Sequence, residues 1–223
     1  ALIPSQYEFW QKQIKPYLDT GKKIFVIISD ALRYEIGTEL NKYIRREDKF
    51  QAEIFSALSV LPSYTQLGMS ALLPHSEIRF AEDNSGTVLV DGTKTQNLNN
   101  RSKILNEKTS NRALVMNDFK VMSMNSEESK KLFRNYDVIY IYHNRIDAMG
   151  DDPRTETQVF SAAETAIEEI VRLVKKLSSG NATNIIITTD HGFLYQHKEL
   201  SDSDFLSETE VSGKIFYKTR RFI

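Results

Sequence analysis

Acidic residues follow three of the most apolar segments of the chain, at the point where each segment ends. Asp30 closes FVIISD, Asp190 closes NIIITTD, and Asp147 and Asp151 lie a few residues after VIYIYHN. Because the carboxyl ends of parallel strands meet at one edge of a sheet, we expect these carboxylates to converge. Clustered carboxylates repel one another and lose hydration unless a cation neutralises them. The pattern therefore favours a divalent metal site, to which His191 adds an imidazole nitrogen.

Helix capping is the alternative role for each of these acidic residues. An aspartate directly after a strand commonly accepts hydrogen bonds from the first N–H groups of the following helix. Metal binding is favoured because such residues occur at three strand ends, provided that the three strands are neighbours in the sheet.

A second candidate is the segment LPSYTQLGMSALLP at residues 61–74. Pro62 and Ser63 interrupt the preceding element, so Thr65 stands near the start of a helix. There its hydroxyl meets unpaired N–H groups and the positive end of the helix dipole, which suits an alkoxide nucleophile and a bound phosphate. From the spacing alone, an ordinary helix N-cap at Ser63 or Thr65 is the favoured interpretation.

Two basic residues are weaker candidates for contact with a substrate. Arg33 follows Asp30 by three residues and would face a substrate phosphate or begin a solvated helix. His143 follows a strand end and lies close to Asp147 in the sequence, so it is a candidate for the same site.

Short apolar runs that alternate with helical patterns predict an α/β fold with a mostly parallel central sheet. The clearest strands, all predicted to be central, are residues 24–28, 136–142 and 184–189. Residues 52–58 are predicted as a further strand, and weaker candidates are 86–90, 114–116 and 214–217. Apolar spacing predicts helices at residues 5–18, 32–44, 66–73 and 155–177. Residues 81–111 are rich in Asn, Thr, Ser and Gly and are predicted to be mainly loop.

The composition excludes several classes of protein. The 223 residues include no cysteine, which excludes a disulfide framework, a cysteine-ligated zinc site and a cysteine nucleophile. The formal net charge of −1 gives no basis for broad binding to nucleic acid or membranes. No signal peptide or membrane-spanning run is present in the sequence, so we expect a cytoplasmic protein. We expect residues 1–223 to form one domain, and the initial alanine predicts that it is a fragment of a larger protein.

Four blocks of the sequence resemble the PglZ domain of the alkaline phosphatase superfamily, which is associated with the bacterial BREX phage-defence system. They are DALRYE at 30–35, LPSYTQLGMSALLP at 61–74, YHNRIDAMGDD at 142–152 and TTDHGFLY at 188–195. TTDHG recurs across the superfamily, whereas the first two blocks together are much more specific to PglZ. The resemblance implies an alkaline phosphatase-like fold, a three-layer α/β/α sandwich.

The resemblance also implies a phosphohydrolase site that holds one or two divalent ions, with Zn²⁺, Mn²⁺ and Mg²⁺ as candidates. Six residues stand at the family's metal-ligand positions: Asp30, Thr65, Asp190 and His191 for one ion, and Asp147 and Asp151 for the other. Thr65 would also be the nucleophile, attacking phosphorus in line as an alkoxide before water releases a phospho-threonine intermediate.

Two positions depart from the superfamily pattern. Asp151 stands where many members carry histidine, which makes the second site richer in oxygen and favours Mn²⁺ or Mg²⁺ over Zn²⁺. The superfamily usually takes a further histidine for this site from well downstream, but the only later histidine, His197, lies too near His191. An incomplete second site is therefore one open alternative.

Two functions compete. The first is a metal-dependent phosphatase or phosphodiesterase in bacterial phage defence, with a phosphoester substrate for which nucleotides and oligonucleotides are candidates. The second is a phosphatase-like interaction module with weak or no catalysis, which binds other proteins of a defence complex. The sequence predicts no membrane partner and does not specify an oligomeric state.

Overall fold

A four-stranded parallel sheet lies at the centre of the computed structural model, which describes residues 3–150, 158–194, 215, 217 and 218. The strands are β1 (Ile24–Ser29), β5 (Ala113–Asn117), β6 (Val138–His143) and β7 (Ile185–Thr188), in the spatial order β5-β6-β1-β7. β1 and β6 are buried at every position because both of their faces are covered, as their continuous apolar runs predicted. β7 is confirmed as a strand but lies at the edge of the described sheet, where its residues are half-buried.

Helices cover both faces of this sheet. In chain order they are α1 (Lys15–Asp19), α2 (Tyr34–Arg45), α3 (Thr65–Ala71), α4 (Leu98–Lys108), α5 (Asp118–Ser123), α6 (Ser126–Phe133), α7 (Ile146–Gly150) and α8 (Val159–Ser179), with short 3₁₀ and π turns at Gln6–Glu8 and Trp10–Ile14. Phe25 and Ile27 of β1 pack against α2 and α8, whereas Val26 and Ile28 pack in the cluster that includes α3 and α4. This alternation along the strand produces the three-layer α/β/α sandwich that was expected.

A small antiparallel sheet supports the outer side of α3. It consists of β2 (Ile78–Phe80), β3 (Val88–Val90) and β4 (Thr93–Lys94), in that spatial order. Val88 packs with Leu67 and Ala71, so α3 is held between this sheet and the central one.

Residues 52–58 are not a strand, contrary to the prediction. The segment is irregular apart from one bridge between Leu58 and Ser5. Ala52 packs at the margin of the core, but the larger side chains of Phe55 and Leu58 stay outside it, since they are 78% and 57% exposed. An apolar composition without a sheet neighbour is therefore not enough to form a strand here.

The loop predicted for residues 81–111 contains β3, β4 and the three-turn helix α4. Asn97 is the N-cap of α4, and its Oδ1 accepts a hydrogen bond from the Asn100 N–H at 2.9 Å. Asparagine is unfavourable inside helices but favourable at their first position, so the asparagine-rich stretch begins a helix. Ile104 and Leu105 are the buried apolar residues of α4.

The other predicted helices lie close to their observed positions, with two differences at their starts. The helix after Asp30 begins at Tyr34, because Asp30 and Ala31 form a turn and Arg33 is the extended N-cap residue. The predicted start of the long helix at 155 lies outside the described residues, and its described part is α8. Most of the predicted strand at 214–217 is also outside them, and Ile215 and Tyr217 are not in a strand. Within the described ranges, no helix has the length and apolar character needed to cross a bilayer.

Candidate metal centre and nucleophile

The structure brings Asp30, Thr65, Asp190 and His191 together at the carboxyl edge of the parallel sheet. Asp30 directly follows β1, and Asp190 lies two residues after β7, which is the neighbour of β1 in the sheet. Thr65 is the first residue of α3, on the face of the sheet that carries this helix. The strand order thus meets the condition on which the metal prediction depended.

The ring nitrogen Nε2 of His191 is the common neighbour of the other three side chains. It lies 2.9 Å from Thr65 Oγ1, 3.4 Å from Asp30 Oδ1 and 3.5 Å from Asp190 Oδ2. The candidate ligand atoms of the two aspartates and the histidine all lie within 4.8 Å of one another. Four oxygen and nitrogen atoms of the types that bind divalent ions therefore face one small region.

The other ring nitrogen of His191 determines what Nε2 can do. Nδ1 lies 2.7 Å from the carbonyl oxygen of Gly192. A carbonyl oxygen only accepts, so Nδ1 carries the proton in this contact, and Nε2 of the neutral ring has a free lone pair. Nε2 can then accept a hydrogen bond from the Thr65 hydroxyl or bind a cation.

A turn directly after Asp30 orients the Asp190 carboxylate. The Ala31 N–H donates to Asp190 Oδ1 at 3.3 Å, and the Leu32 N–H donates to Thr189 Oγ1 at 3.0 Å. Ala31 has a φ of +62°, a left-handed conformation that is unfavourable by about 1–2 kcal/mol for a residue with a side chain. Strained backbone of this kind is characteristic of functional sites, and here it joins the ends of β1 and β7.

Two carboxylate oxygens of the cluster have no hydrogen-bond partner among the described residues: Asp30 Oδ1 and Asp190 Oδ2. Both are buried, and a buried carboxylate oxygen without a partner is energetically unfavourable. A divalent cation would satisfy both of them. Carboxylate, hydroxyl and imidazole donors fit Zn²⁺, Mn²⁺ or Mg²⁺, so the residues present fit a metal ion.

The electrostatics of Asp30 agree with this interpretation. Burial, together with the negative charges of Asp190 and Asp147, raises the pKa of Asp30 to about 9, and the positive charge of Arg101 acts in the opposite direction. Without a cation, the site therefore accumulates more negative charge than it can hold ionised at neutral pH. Metal binding there requires loss of the Asp30 proton and is favoured by rising pH.

The predicted second site is only partly described. Asp147 lies on α7, directly after β6, and its charge acts on Asp30. Asp151 and His197 lie outside the described residues. Within the described part of the chain, the one group of three possible ligands comprises Asp30, Asp190 and His191.

The sequence spacing favoured Ser63 or Thr65 as the N-cap of α3, but neither residue caps this helix. The N-cap of α3 is Tyr64, and no side chain makes a capping hydrogen bond there. The Thr65 hydroxyl is instead directed to His191, and Thr65 is half-buried, whereas the histidine and both aspartates of the cluster are buried. An incoming group would therefore meet Thr65 before the carboxylates.

The two weaker substrate candidates lie beside the cluster with protein partners of their own. His143 is buried, with Nδ1 3.0 Å from Ser29 Oγ and Nε2 3.1 Å from Glu169 Oε2. Arg33 pairs with Glu35, and its guanidinium carbon lies 5.0 Å from the ring centre of Phe193, two residues after His191. Contact of either residue with a substrate stays a prediction.

Arg101 is a residue near the site that the sequence analysis missed. It is buried on α4, with its guanidinium carbon 4.7 Å from the ring centre of Tyr142 and its Nε donating to the Thr95 carbonyl oxygen at 2.8 Å. It has no carboxylate partner within 4 Å in the described ranges. The spacing of Arg101 with Ile104 and Leu105 is a helical signal, which the loop interpretation of this segment obscured.

Comparison with known proteins gives concordant matches. Residues 9–223 match the family model of the BREX system PglZ alkaline phosphatase-like domain. The alkaline phosphatase-like protein BrxZ of Escherichia coli O9:H4 (strain HS) is 42% identical over 205 residues, covering 91% of this chain and 23% of that protein. The alkaline phosphatase-like protein PglZ of Bacillus cereus (strain H3081.97) is 39% identical over 225 residues, covering 100% of this chain and 26% of that protein. The chain thus spans about a quarter of the length of these relatives.

Proposed function

Because the chain belongs to the PglZ family of alkaline phosphatase-like domains of BREX systems, we propose that it is a metal-dependent phosphohydrolase with Thr65 as its nucleophile. The observation that carries this proposal is the 2.9 Å contact between Thr65 Oγ1 and His191 Nε2, beside two buried carboxylate oxygens without partners. A hydroxyl in this position has both a proton acceptor and a candidate cation site next to it. The substrate class is a phosphoester, and nucleotide and oligonucleotide esters are the first compounds to test.

Asp30, Asp190, His191 and Thr65 would hold one divalent ion, and Asp147 with Asp151 would contribute to a second. When bound, such ions supply Lewis-acid polarisation of the phosphoryl oxygen and lower the pKa of a coordinated hydroxyl. This requirement for a cation distinguishes the proposal from metal-independent ester hydrolysis.

The chain's own residues orient the nucleophile. The His191 ring is fixed by donation from Nδ1 to the Gly192 carbonyl, so Nε2 accepts the hydrogen bond of the Thr65 hydroxyl before an ion binds. With an ion bound, the Nε2 lone pair would hold the ion instead. Thr65 Oγ gives up its proton to water and forms a bond to phosphorus as the bond to the leaving oxygen breaks, and the leaving oxygen takes up a proton from water. Water attacks the resulting phospho-threonine, which restores the Thr65 hydroxyl and releases phosphate or a phosphomonoester.

Metal titration of the 223-residue chain tests this function. We expect the metal-free chain to bind Mn²⁺, Zn²⁺ or Mg²⁺ in calorimetry. The metal-loaded chain should hydrolyse 4-nitrophenyl phosphate or its bis-ester, with activity lost in EDTA and restored by metal. Asp190→Asn is expected to reduce metal affinity by at least about tenfold, because one buried ligand oxygen is replaced. The control is Asp48→Asn, which removes an exposed carboxylate and leaves affinity unchanged. A wild-type chain that binds no divalent ion would contradict the proposal.

The same experiment decides the second candidate function, a phosphatase-like interaction module within a defence complex. The observation that favours it is that, of the residues described, only Asp30, Asp190 and His191 form a three-ligand group. Metal binding without turnover of either ester would support the module and exclude the hydrolase.

Arg101 supplies a positive charge suited to the phosphoryl group. A buried guanidinium without a carboxylate partner is unfavourable, and a substrate anion would provide the missing charge. We expect Arg101→Met to raise the inhibition constant of inorganic phosphate by about ten- to a hundredfold, the value of one charged hydrogen bond. Metal affinity should stay the same or rise, since a cation beside the carboxylates is removed. Arg112→Met, at an exposed pair with Asp137, is the control, and unchanged phosphate inhibition in Arg101→Met would contradict this role.

A further inference from the structure

The side chain of Gln6 joins three segments that are far apart in the sequence. It is buried, and its Nε2 donates to the carbonyl oxygens of Thr189 at 3.0 Å and Asp190 at 2.7 Å. Its Oε1 accepts from the Val60 N–H at 3.0 Å. One amide therefore links the N-terminal helical turn and the chain before Thr65 to the main chain of the Asp190–His191 pair.

Gly68, on α3, lies against the main chain of Asp190. It lies one helical turn after Thr65 on α3, where a Cβ would lie 2.7 Å from the carbonyl carbon of Asp190 and 2.9 Å from Asp190 Cβ. Real Cβ atoms do not approach other atoms this closely. Only glycine therefore allows α3 to lie directly on the Asp190 backbone.

We propose that Gln6 and Gly68 form a clamp on the Asp190 main chain that positions Asp190 and His191 against Thr65. The inference rests on the proposed function, since the positioned atoms are the proposed metal ligands and nucleophile. Gln6 holds the Asp190 carbonyl, and Gly68 sets the distance at which α3 stands from it. Neither residue touches the reacting atoms, so both are positioning residues.

Such a clamp is needed because the contact between Thr65 and His191 tolerates only a small displacement of α3. Thr65 and His191 meet at 2.9 Å although they are 126 residues apart and belong to different elements. A displacement of α3 by about 1 Å would break this contact, and misplacement of that size is enough to reduce catalysis by about a hundredfold. Partners behind the ligands typically change metal affinity by about ten- to a hundredfold.

Two variants test the clamp, each with a matched control. Gln6→Glu keeps the shape of the side chain but replaces the amide donor by a carboxyl group. Gly68→Ala adds the excluded Cβ. Gln13→Glu introduces the same charge at an exposed position of the N-terminal helical segment. Gly37→Ala adds a Cβ on α2 that meets only Ile54 Cδ1, at 3.6 Å, an ordinary contact.

The imidazole ¹⁵N signals of the metal-free chain give a readout that does not depend on activity. The chain has four histidines, so the His191 signals are assignable from a His191→Asn variant. We expect Gln6→Glu and Gly68→Ala to shift the His191 signals. Both should leave those of His143, held by Ser29 and Glu169 on the other face of the sheet, in place. We also expect metal affinity to fall by at least about tenfold in both variants, with neither effect in the controls.

The outcomes separate the clamp from the proposed function. Shifted His191 signals support the clamp even if the wild-type chain binds no metal. The absence of metal binding would contradict only the proposed function. Unchanged His191 signals with unchanged metal affinity in folded variants overturn the clamp and leave the proposed function standing. Equal shifts of His143 and His191 signals indicate a general change of structure and also overturn it. If Gly68→Ala does not fold, Gln6→Glu decides between these results.

Discussion

The Thr65→Ala variant is expected to lose at least about a thousandfold in turnover of a phosphoester while it keeps its fold. Removal of an attacking nucleophile leaves only the catalysis that binding and electrostatics provide, and losses of about this size or larger follow. Thr65 is half-buried at the first residue of α3, so loss of its hydroxyl leaves no large cavity in the core. The measurements are kcat for 4-nitrophenyl phosphate or its bis-ester and a thermal melt of the same sample.

Two further variants identify the reason for the loss. Thr65→Ser keeps an oxygen at the Oγ position and is expected to retain turnover within about a factor of ten, because the attacking atom is preserved. Ser63→Ala removes the neighbouring hydroxyl, which the spacing offered only as a helix N-cap, and is expected to have no effect on turnover. Turnover by Thr65→Ala equal to that of the wild type would exclude Thr65 as the nucleophile.

The parts of the site that lie on the sheet could be predicted from the sequence because they depend on local patterns. The apolar runs that became β1, β6 and β7 are bounded by polar residues. Asp30 directly follows β1, and Asp190 lies two residues after β7. Parallel strands place those ends at one edge whatever the rest of the fold does. The pairing of the two aspartates with His191 was therefore predictable, although which strands are neighbours was not.

The parts that could not be predicted depend on contacts between distant segments. Gln6 and Asp190 are 184 residues apart, and no periodicity of the sequence indicates that the amide reaches that carbonyl. Arg101 was hidden for a different reason, since the asparagines before it indicate a loop until one of them is recognised as a helix N-cap. Residues 52–58 were wrongly predicted to be a strand. Their apolar composition does not reveal whether the segment has a neighbouring strand with which to pair.

Replacement of Asp30 by asparagine is expected to stabilise the metal-free protein at pH 8 and at the same time to weaken metal binding. Asp30 has a pKa of about 9 in the folded chain, against an ordinary value of 3.8 for an unfolded one. Between these values the folded state binds more protons than the unfolded state. The free energy of unfolding therefore falls as the pH rises from about 4 to about 9, by up to about 1.4 kcal/mol per pH unit. Asparagine does not titrate, so the variant lacks this contribution.

Denaturant unfolding in EDTA at pH 5 and pH 8 measures the effect. We expect the advantage of Asp30→Asn over the wild type to be larger at pH 8 than at pH 5, by several kcal/mol if Asp30 is the main titrating group. Asp48→Asn, an exposed position, is expected to show the pH dependence of the wild type. The same pH dependence in Asp30→Asn and the wild type would contradict the raised pKa of Asp30.

Added metal should reduce the stability advantage of Asp30→Asn over the wild type. A cation that binds only the folded state stabilises it by about 2.7 kcal/mol at a hundred times its dissociation constant. The wild type receives this gain, whereas Asp30→Asn has lost one ligand oxygen and gains much less. A carboxylate whose cost to the fold falls when metal is added acts as a ligand. If Asp30 had only a structural role, Asp30→Asn would change stability by the same amount with metal and without it.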